Sequence, residues 1–259
     1  MKKIISVLSF LFILFSCTTN KVAGRESFNV ISVEEEIKMG NDAYREILAQ
    51  EKISTNPKDI QRLKAVSTRL IAVVGPDMPE AQWEFNAIES DQINAFALPG
   101  GKVAIYTSLL HILNDDELAY VLGHEIAHVT CHHGSERMSQ QLLVQLGAAA
   151  ASVLLKGKSE KTANVFLSAY GLGAQVGVLL PFSRKNELEA DKIGTRYAAR
   201  SGYNPKASIT TLKKFEQLFG KQQQVPEFLS THPLDDSRIE ALEKNMPEFD
   251  EAYRNARKF

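Results

Sequence analysis

Apolar and polar residues along this chain follow two different periods, and the changes of period divide it into segments. Over residues 33–50 and 57–74 apolar positions recur at helical spacing, which predicts two amphipathic helices. The rhythm then shortens. Residues 83–88 alternate, and residues 93–98 and 103–106 read as two further short strands joined by a Pro99-Gly100-Gly101 turn. Residues 107–113 return to helical spacing. A longer helix is predicted from about Asp115 to about His133, with Gly134 as its break. Asp115, Asp116 and Glu117 supply the negative charge that a helix N-terminus favours, and Ala119, Leu122, Ile126 and Val129 form its core-facing stripe. Residues 141–155 are apolar and alanine-rich. At about fifteen residues they fall short of the roughly twenty needed to span a bilayer, so they predict a buried helix or one touching a membrane surface. Beyond a polar loop at 157–161, helices are predicted over 164–180, 186–201, 206–219 and 234–245, with a loop at 222–231. Many helices around a short antiparallel sheet place the chain in the α+β class, mainly helical.

The 259 residues suit one catalytic domain plus a targeting segment. A formal net charge of −1 gives no reason to expect a nucleic-acid partner. Lys2 and Lys3 precede an apolar stretch over residues 4–15, too short and too early for a membrane span. The stretch ends Leu14-Phe15-Ser16-Cys17, which resembles the lipobox of bacterial lipoproteins, although Phe15 is bulkier than usual. The expected organisation is a signal peptide at 1–16, a lipidated Cys17 and polar tether at 17–32, and the catalytic domain at 33–259. Acyl chains on Cys17 would hold the domain at a bilayer, with the outer membrane facing the periplasm as the expected site. With Cys17 modified, Cys131 has no disulfide partner and reads as a small buried thiol.

The chemistry is concentrated in His124-Glu125-Ile126-Ala127-His128. On a helix His124 and His128 are one turn apart, so both imidazoles project from one face and can grip one zinc ion. Glu125 lies beside them and can take a proton from a water that zinc activates. This is the zincin signature. A catalytic zinc needs a third protein ligand. The spacing that would make this a metzincin fails, because Cys131 and Gly134 stand where that class places glycine and histidine. His132 would lie a further turn along the helix, out of reach. Downstream, Glu187 and Asp191 share a helical face, so one could bind zinc while the other accepts the free N–H of a ligand histidine; periodicity alone leaves Glu189 open as well.

Four stretches then occur together, in order: Asn94-Ala-Phe-Ala-Leu-Pro-Gly-Gly101, Leu122 to His128, Ser183-Arg184 through Glu187 to Asp191, and Thr231-His232-Pro233 with Arg238. In these the chain resembles the gluzincin family that contains the CAAX prenyl endopeptidase, the heat-shock protease HtpX and the periplasmic β-barrel assembly-enhancing protease, over roughly residues 35–245. The resemblance implies Glu187 as third ligand, Asp191 as the carboxylate behind a ligand histidine, and one Zn2+ per subunit. It places His232 facing the metal, either as a catalytic donor or as a group that fills the open position of zinc. Arg238 would orient His232 or the substrate. Asn94, Ala95, Phe96 and Ala97 would form an edge strand that pairs with an extended peptide. The function this implies is hydrolysis of unfolded or misassembled envelope proteins, with outer-membrane assembly machinery as a possible partner. The competing readings are a chaperone or assembly factor with a structural zinc, and a zinc hydrolase that does not act on proteins.

Overall fold

Burial of the apolar stripes wraps the helices around one short sheet and places a single helix at the centre. The fold, a computed structural model, describes residues 17–156, 159–174, 180–220 and 225–256. The signal peptide expected at 1–16 and the Cys17 side chain lie outside the described residues, as do parts of the predicted segments 157–161, 164–180 and 222–231.

Strands β1 (Cys17–Asn20) and β2 (Arg25–Phe28) pair as an antiparallel hairpin. The polar stretch expected as a tether is therefore folded over much of its length. Its polar side chains find buried partners far along the chain: Asn20 Nδ2 donates to the Cys131 carbonyl at 2.5 Å. Helix α1 (Val33–Gln50) starts with a Ser32–Glu35 capping box, and α2 (Pro57–Val74) with Asn56 as cap and Pro57 in the first turn.

Strands β3 (Glu84–Ile88), β4 (Ala95–Leu98) and β5 (Lys102–Tyr106) form a sheet in the order β3-β5-β4. Strand β5 runs antiparallel to β4 and parallel to β3. The sheet, expected to be antiparallel, is thus mixed, because residues 89–94 carry the chain across to the far side of β5. Val103 and Ile105 in the middle strand are fully buried, and β4 is left as an edge.

Helix α3 (Thr107–Ile112) leads into α4 (Asp115–Thr130). Asn114 and Glu117 form a capping box at the start of α4, and Lys214 Nζ reaches Glu117 at 2.5 Å. Burial on α4 is wider than the predicted stripe: Leu118, Ala119, Leu122, Ile126 and Ala127 are all 0 % exposed. The helix ends at Thr130, and His132, whose φ of 53° is left-handed, turns the chain into the next helix, with its Nδ1 2.8 Å from the buried Glu36 carboxylate. The break expected at Gly134 therefore comes earlier, and Gly134 sits inside α5 (His133–Leu154). Residues 141–155 are the distal half of this same helix. Leu142, Leu143, Leu146, Val153 and Leu154 on it are exposed, so it is not a buried helix.

Helices α6 (Glu160–Ala174), α7 (Leu180–Arg200), α8 (Ala207–Phe219), α9 (Glu227–Thr231) and α10 (Asp236–Arg254) complete the chain. Helix α7 starts ahead of the predicted residue 186, and α9 occupies the end of the predicted 222–231 loop. Helix α10 continues past residue 245 through Pro247, where burial of Phe249 offsets the lost backbone hydrogen bond. Among the described residues no helix is long and apolar enough to cross a membrane.

The contact that positions the site is the crossing of α4 and α7. A Cβ on Gly123 would lie 2.6 Å from the Gly194 carbonyl oxygen, and one on Gly194 would lie 2.5 Å from the His124 nitrogen. Only hydrogen fits between these backbones. Gly123→Ala is expected to push the helices apart and cost about 1–3 kcal/mol of stability, read as a lower melting temperature; an unchanged melting temperature would contradict so close a crossing.

Candidate metal centre

Helix α4 presents His124 and His128 one turn apart, and the Gly123–Gly194 crossing brings Glu187 of α7 up to them. His124 Nε2 and His128 Nε2 are 3.1 Å apart. Glu187 Oε2 lies 3.4 Å from His124 Nε2, and Glu187 Oε1 lies 3.3 Å from His128 Nε2. From the loop after α9, His232 Nδ1 approaches His124 Nε2 at 3.2 Å and both Glu187 oxygens at 3.2 Å. One donor atom from each of the four residues falls within 4.8 Å of all the others.

These separations fit a metal. Donors 2.0–2.1 Å from a tetrahedral centre stand about 3.3 Å apart, close to every edge just given. Two imidazole nitrogens at 3.1 Å share at most one proton, so the cluster has more lone pairs than hydrogens to satisfy them. Two or three nitrogens with one carboxylate oxygen is a zinc donor set. Burial draws the His128 imidazole down to about 4, whereas Asp191 and Glu187 overcome burial at His124 and raise it to about 9.

Behind His124 stands the carboxylate expected there. Asp191 Oδ1 lies 2.9 Å from His124 Nδ1 and accepts from the Tyr120 hydroxyl at 2.7 Å. Arg238 grips Asp191 with Nε and Nη2, each at 2.7 Å, and its Nη1 donates to the Pro233 carbonyl at 3.0 Å. Burial opposes the Asp191 charge, but Arg238 and His124 hold its pKa well below the ordinary aspartate value. Arg238, expected to orient His232 or the substrate, contacts Asp191 directly and reaches the His232 loop only through the backbone.

Glu125 is 2 % exposed. Its Oε1 is buried and makes no hydrogen bond, with His232 Nε2 3.4 Å away. Burial raises its pKa above the ordinary glutamate value, with His232 and His124 pulling the other way. The Ala97 backbone of β4 favours the charged form of Glu125, so the strand, which runs Ala95–Leu98 with Asn94 just ahead of it, borders the site. Phe228 N donates to the Ile93 carbonyl at 3.3 Å, which ties the His232 segment to the start of the same strand.

Several of these partners were not visible in the sequence. Glu189, left open as a ligand, points away from the donor cluster and accepts from His133 Nε2 at 3.2 Å and Arg25 Nε at 2.6 Å. His133 in turn sets its Nδ1 2.9 Å from His128 Nδ1. The doubled His132-His133 was the only available signal, and spacing alone separates neither their roles nor their partners. Cys131 is buried, its thiol pushed up to about 12 by burial.

The chain is 35 % identical over 234 residues to the mitochondrial metalloendopeptidase OMA1 of Schizosaccharomyces pombe, covering 88 % of this chain and 66 % of that protein. It is 35 % identical to the β-barrel assembly-enhancing protease of Yersinia pestis and 32 % identical to that of Escherichia coli, covering 83 % of this chain and 45 % of each relative. The chain thus spans from under half to just under two thirds of the length of these relatives. Residues 57–246, which carry all four proposed donors and the whole sheet, match Peptidase family M48, and the chain belongs to that family.

Proposed function

We propose that this protein is a zinc-dependent endopeptidase that cleaves unfolded or misassembled proteins of a bacterial cell envelope. One observation carries the reading: a buried carboxylate oxygen on Glu125 that makes no hydrogen bond stands beside a converging donor set and an edge strand. In this reading His124, His128 and Glu187 hold the metal. Zinc, when bound, supplies the Lewis acidity that activates water and polarises a peptide carbonyl. Glu125 accepts the proton of the attacking water and delivers it to the leaving amine. Asp191 accepts the Nδ1 proton of His124, which fixes the tautomer that turns Nε2 toward the metal, and Arg238 keeps Asp191 ionised and in place. Substrate backbone adds to the free edge of the sheet at Asn94 to Ala97, a mode of recognition with little demand on side chains.

His232 fills the fourth corner of the donor set through Nδ1, and this supports the blocking role over the catalytic one. A site closed by four protein donors is also what a structural zinc would use, so the assembly-factor reading keeps one observation in its favour. Glu125 weighs against it, since a structural site has no use for a buried base.

The location rests on other features. Lys2, Lys3, the apolar residues 4–15 and Cys17 support export and a lipid anchor. The exposed leucines of distal α5, with Val165 and Phe166 of α6, support a position against a membrane surface. The β-barrel assembly-enhancing relatives support the outer membrane and its assembly machinery as the setting.

Incubation of the zinc-loaded protein with casein is expected to yield fragments, and Glu125→Gln is expected to slow cleavage by about 10²–10⁴-fold with zinc still bound. Equal cleavage by the variant would remove Glu125 from the chemistry. His232→Ala is expected to raise the rate by freeing the fourth position. A fall of about 10²-fold would instead make His232 a catalytic donor. Asp191→Asn is expected to weaken zinc binding by about 10–100-fold in chelator competition, and an unchanged affinity would count against its role behind His124.

A further inference from the structure

His128 is held from behind as well as from the front. Its Nε2 faces the donor cluster, and its Nδ1 lies 2.9 Å from His133 Nδ1. His133 Nε2 lies 3.2 Å from Glu189 Oε2. Arg25 of the N-terminal hairpin grips Glu189 through Nε at 2.6 Å and Nη2 at 2.8 Å. The same guanidinium pairs with Glu136 through Nη1 and Nη2, each at 2.8 Å, and Nη2 reaches Asn186 Oδ1 at 3.3 Å. His133 and Glu136 are buried, and the Arg25 side chain is only 14 % exposed.

The proton positions along this line follow from its two ends. A neutral imidazole that offers Nε2 to a metal carries its proton on Nδ1. His128 Nδ1–H must then donate to His133, so His133 Nδ1 accepts and its proton sits on Nε2. That Nε2–H points at Glu189, which accepts it. The carboxylate stays fixed because Arg25 occupies both of its oxygens. A short donor–acceptor line thus runs from ligand face to hairpin with every proton assigned. His124 is backed by an arginine-held carboxylate directly, through Asp191 and Arg238; His128 has the same backing with one imidazole inserted.

We infer that His133, Glu189 and Arg25 are positioning residues for the metal site: they fix the tautomer and ring angle of His128, and they make the hairpin before α1 part of the metal-binding machinery. Arg25 lies ahead of residues 57–246, the segment matched to the family, so this support comes from outside that segment. The inference rests on the reading of His128 as a ligand. Partners that orient a metal-bound histidine are commonly worth 10–100-fold in metal affinity, and they act without touching metal or substrate.

The test uses the full chain and zinc alone, so it does not depend on peptidase activity. Zinc affinity is measured by chelator competition, and cobalt-substituted samples report the ligand field by visible absorption. His133→Leu and Glu189→Gln are each expected to weaken zinc about 10–100-fold and to shift the cobalt bands. Arg25→Gln is expected to do the same to a smaller degree. His133→Asn, which keeps an acceptor near the Nδ1 position but loses the contact with Glu189, is expected to fall between the parent and His133→Leu. Folded His133→Leu and Glu189→Gln proteins with parental affinity and parental cobalt bands would overturn the inference. A readout free of substitutions guards against variants that do not fold: nitrogen–proton correlation spectra of the zinc-loaded parent are expected to show His133 as the Nε2–H tautomer, and an Nδ1–H tautomer would overturn it. His128→Ala serves as the separate control. If it binds zinc like the parent, the ligand assignment has failed, rather than the support behind it.

Discussion

Helices α4 and α7 approach until backbone meets backbone, and the geometry of the site depends on that approach. His124 and His128 are fixed relative to each other by the helix that carries both. Glu187, Glu189 and Asp191 are fixed relative to each other in the same way by α7. What joins the two sets is the crossing at Gly123 and Gly194, where any side chain would collide with a carbonyl or an amide of the other helix. Donor separations of 3.1–3.4 Å leave little room for error, since a shift of an ångström would carry Glu187 out of reach of both histidines. The fully buried apolar residues of α4 hold the crossing closed by burial on its other sides.

Placing this much polarity in a core is costly unless each charge is paired. The chain meets that demand with two arginines, each on an element remote from α7. Arg238, at the start of α10, neutralises Asp191, and Arg25, on β2, bridges Glu136 and Glu189. The polar centre is thereby stitched to both ends of the folded chain. Among the described residues of the site, the one buried carboxylate oxygen with no hydrogen bond is Glu125 Oε1, with His232 Nε2 3.4 Å away.

The segment bearing His232 differs in kind from the rest of the site. It follows α9, a helix of barely more than one turn, and it is tied to β4 by the Phe228–Ile93 hydrogen bond and to α10 by the Arg238–Pro233 hydrogen bond. It therefore joins the donor cluster to the residues that lead into β4.

The sequence by itself settled the parts governed by short-range periodicity. The helical spacing of His124, Glu125 and His128, the acidic first turn of α4, the α1 and α2 helices and the three short strands of the sheet all follow from local pattern, and the structure reproduces them. Glu187 and Asp191 were legible as a pair because they share a helical face. Long-range pairing decided the rest. Strand order in the sheet, the early break at His132, the folding of residues 17–28 into a hairpin and the separation of Glu189 from Glu187 all depend on partners far along the chain. Periodicity assigns a residue to a face but not to the element opposite it. Glu187 and Glu189 are alike in the sequence, and only the tertiary placement of α7 turns one toward the donor cluster on α4 and the other toward His133 and Arg25.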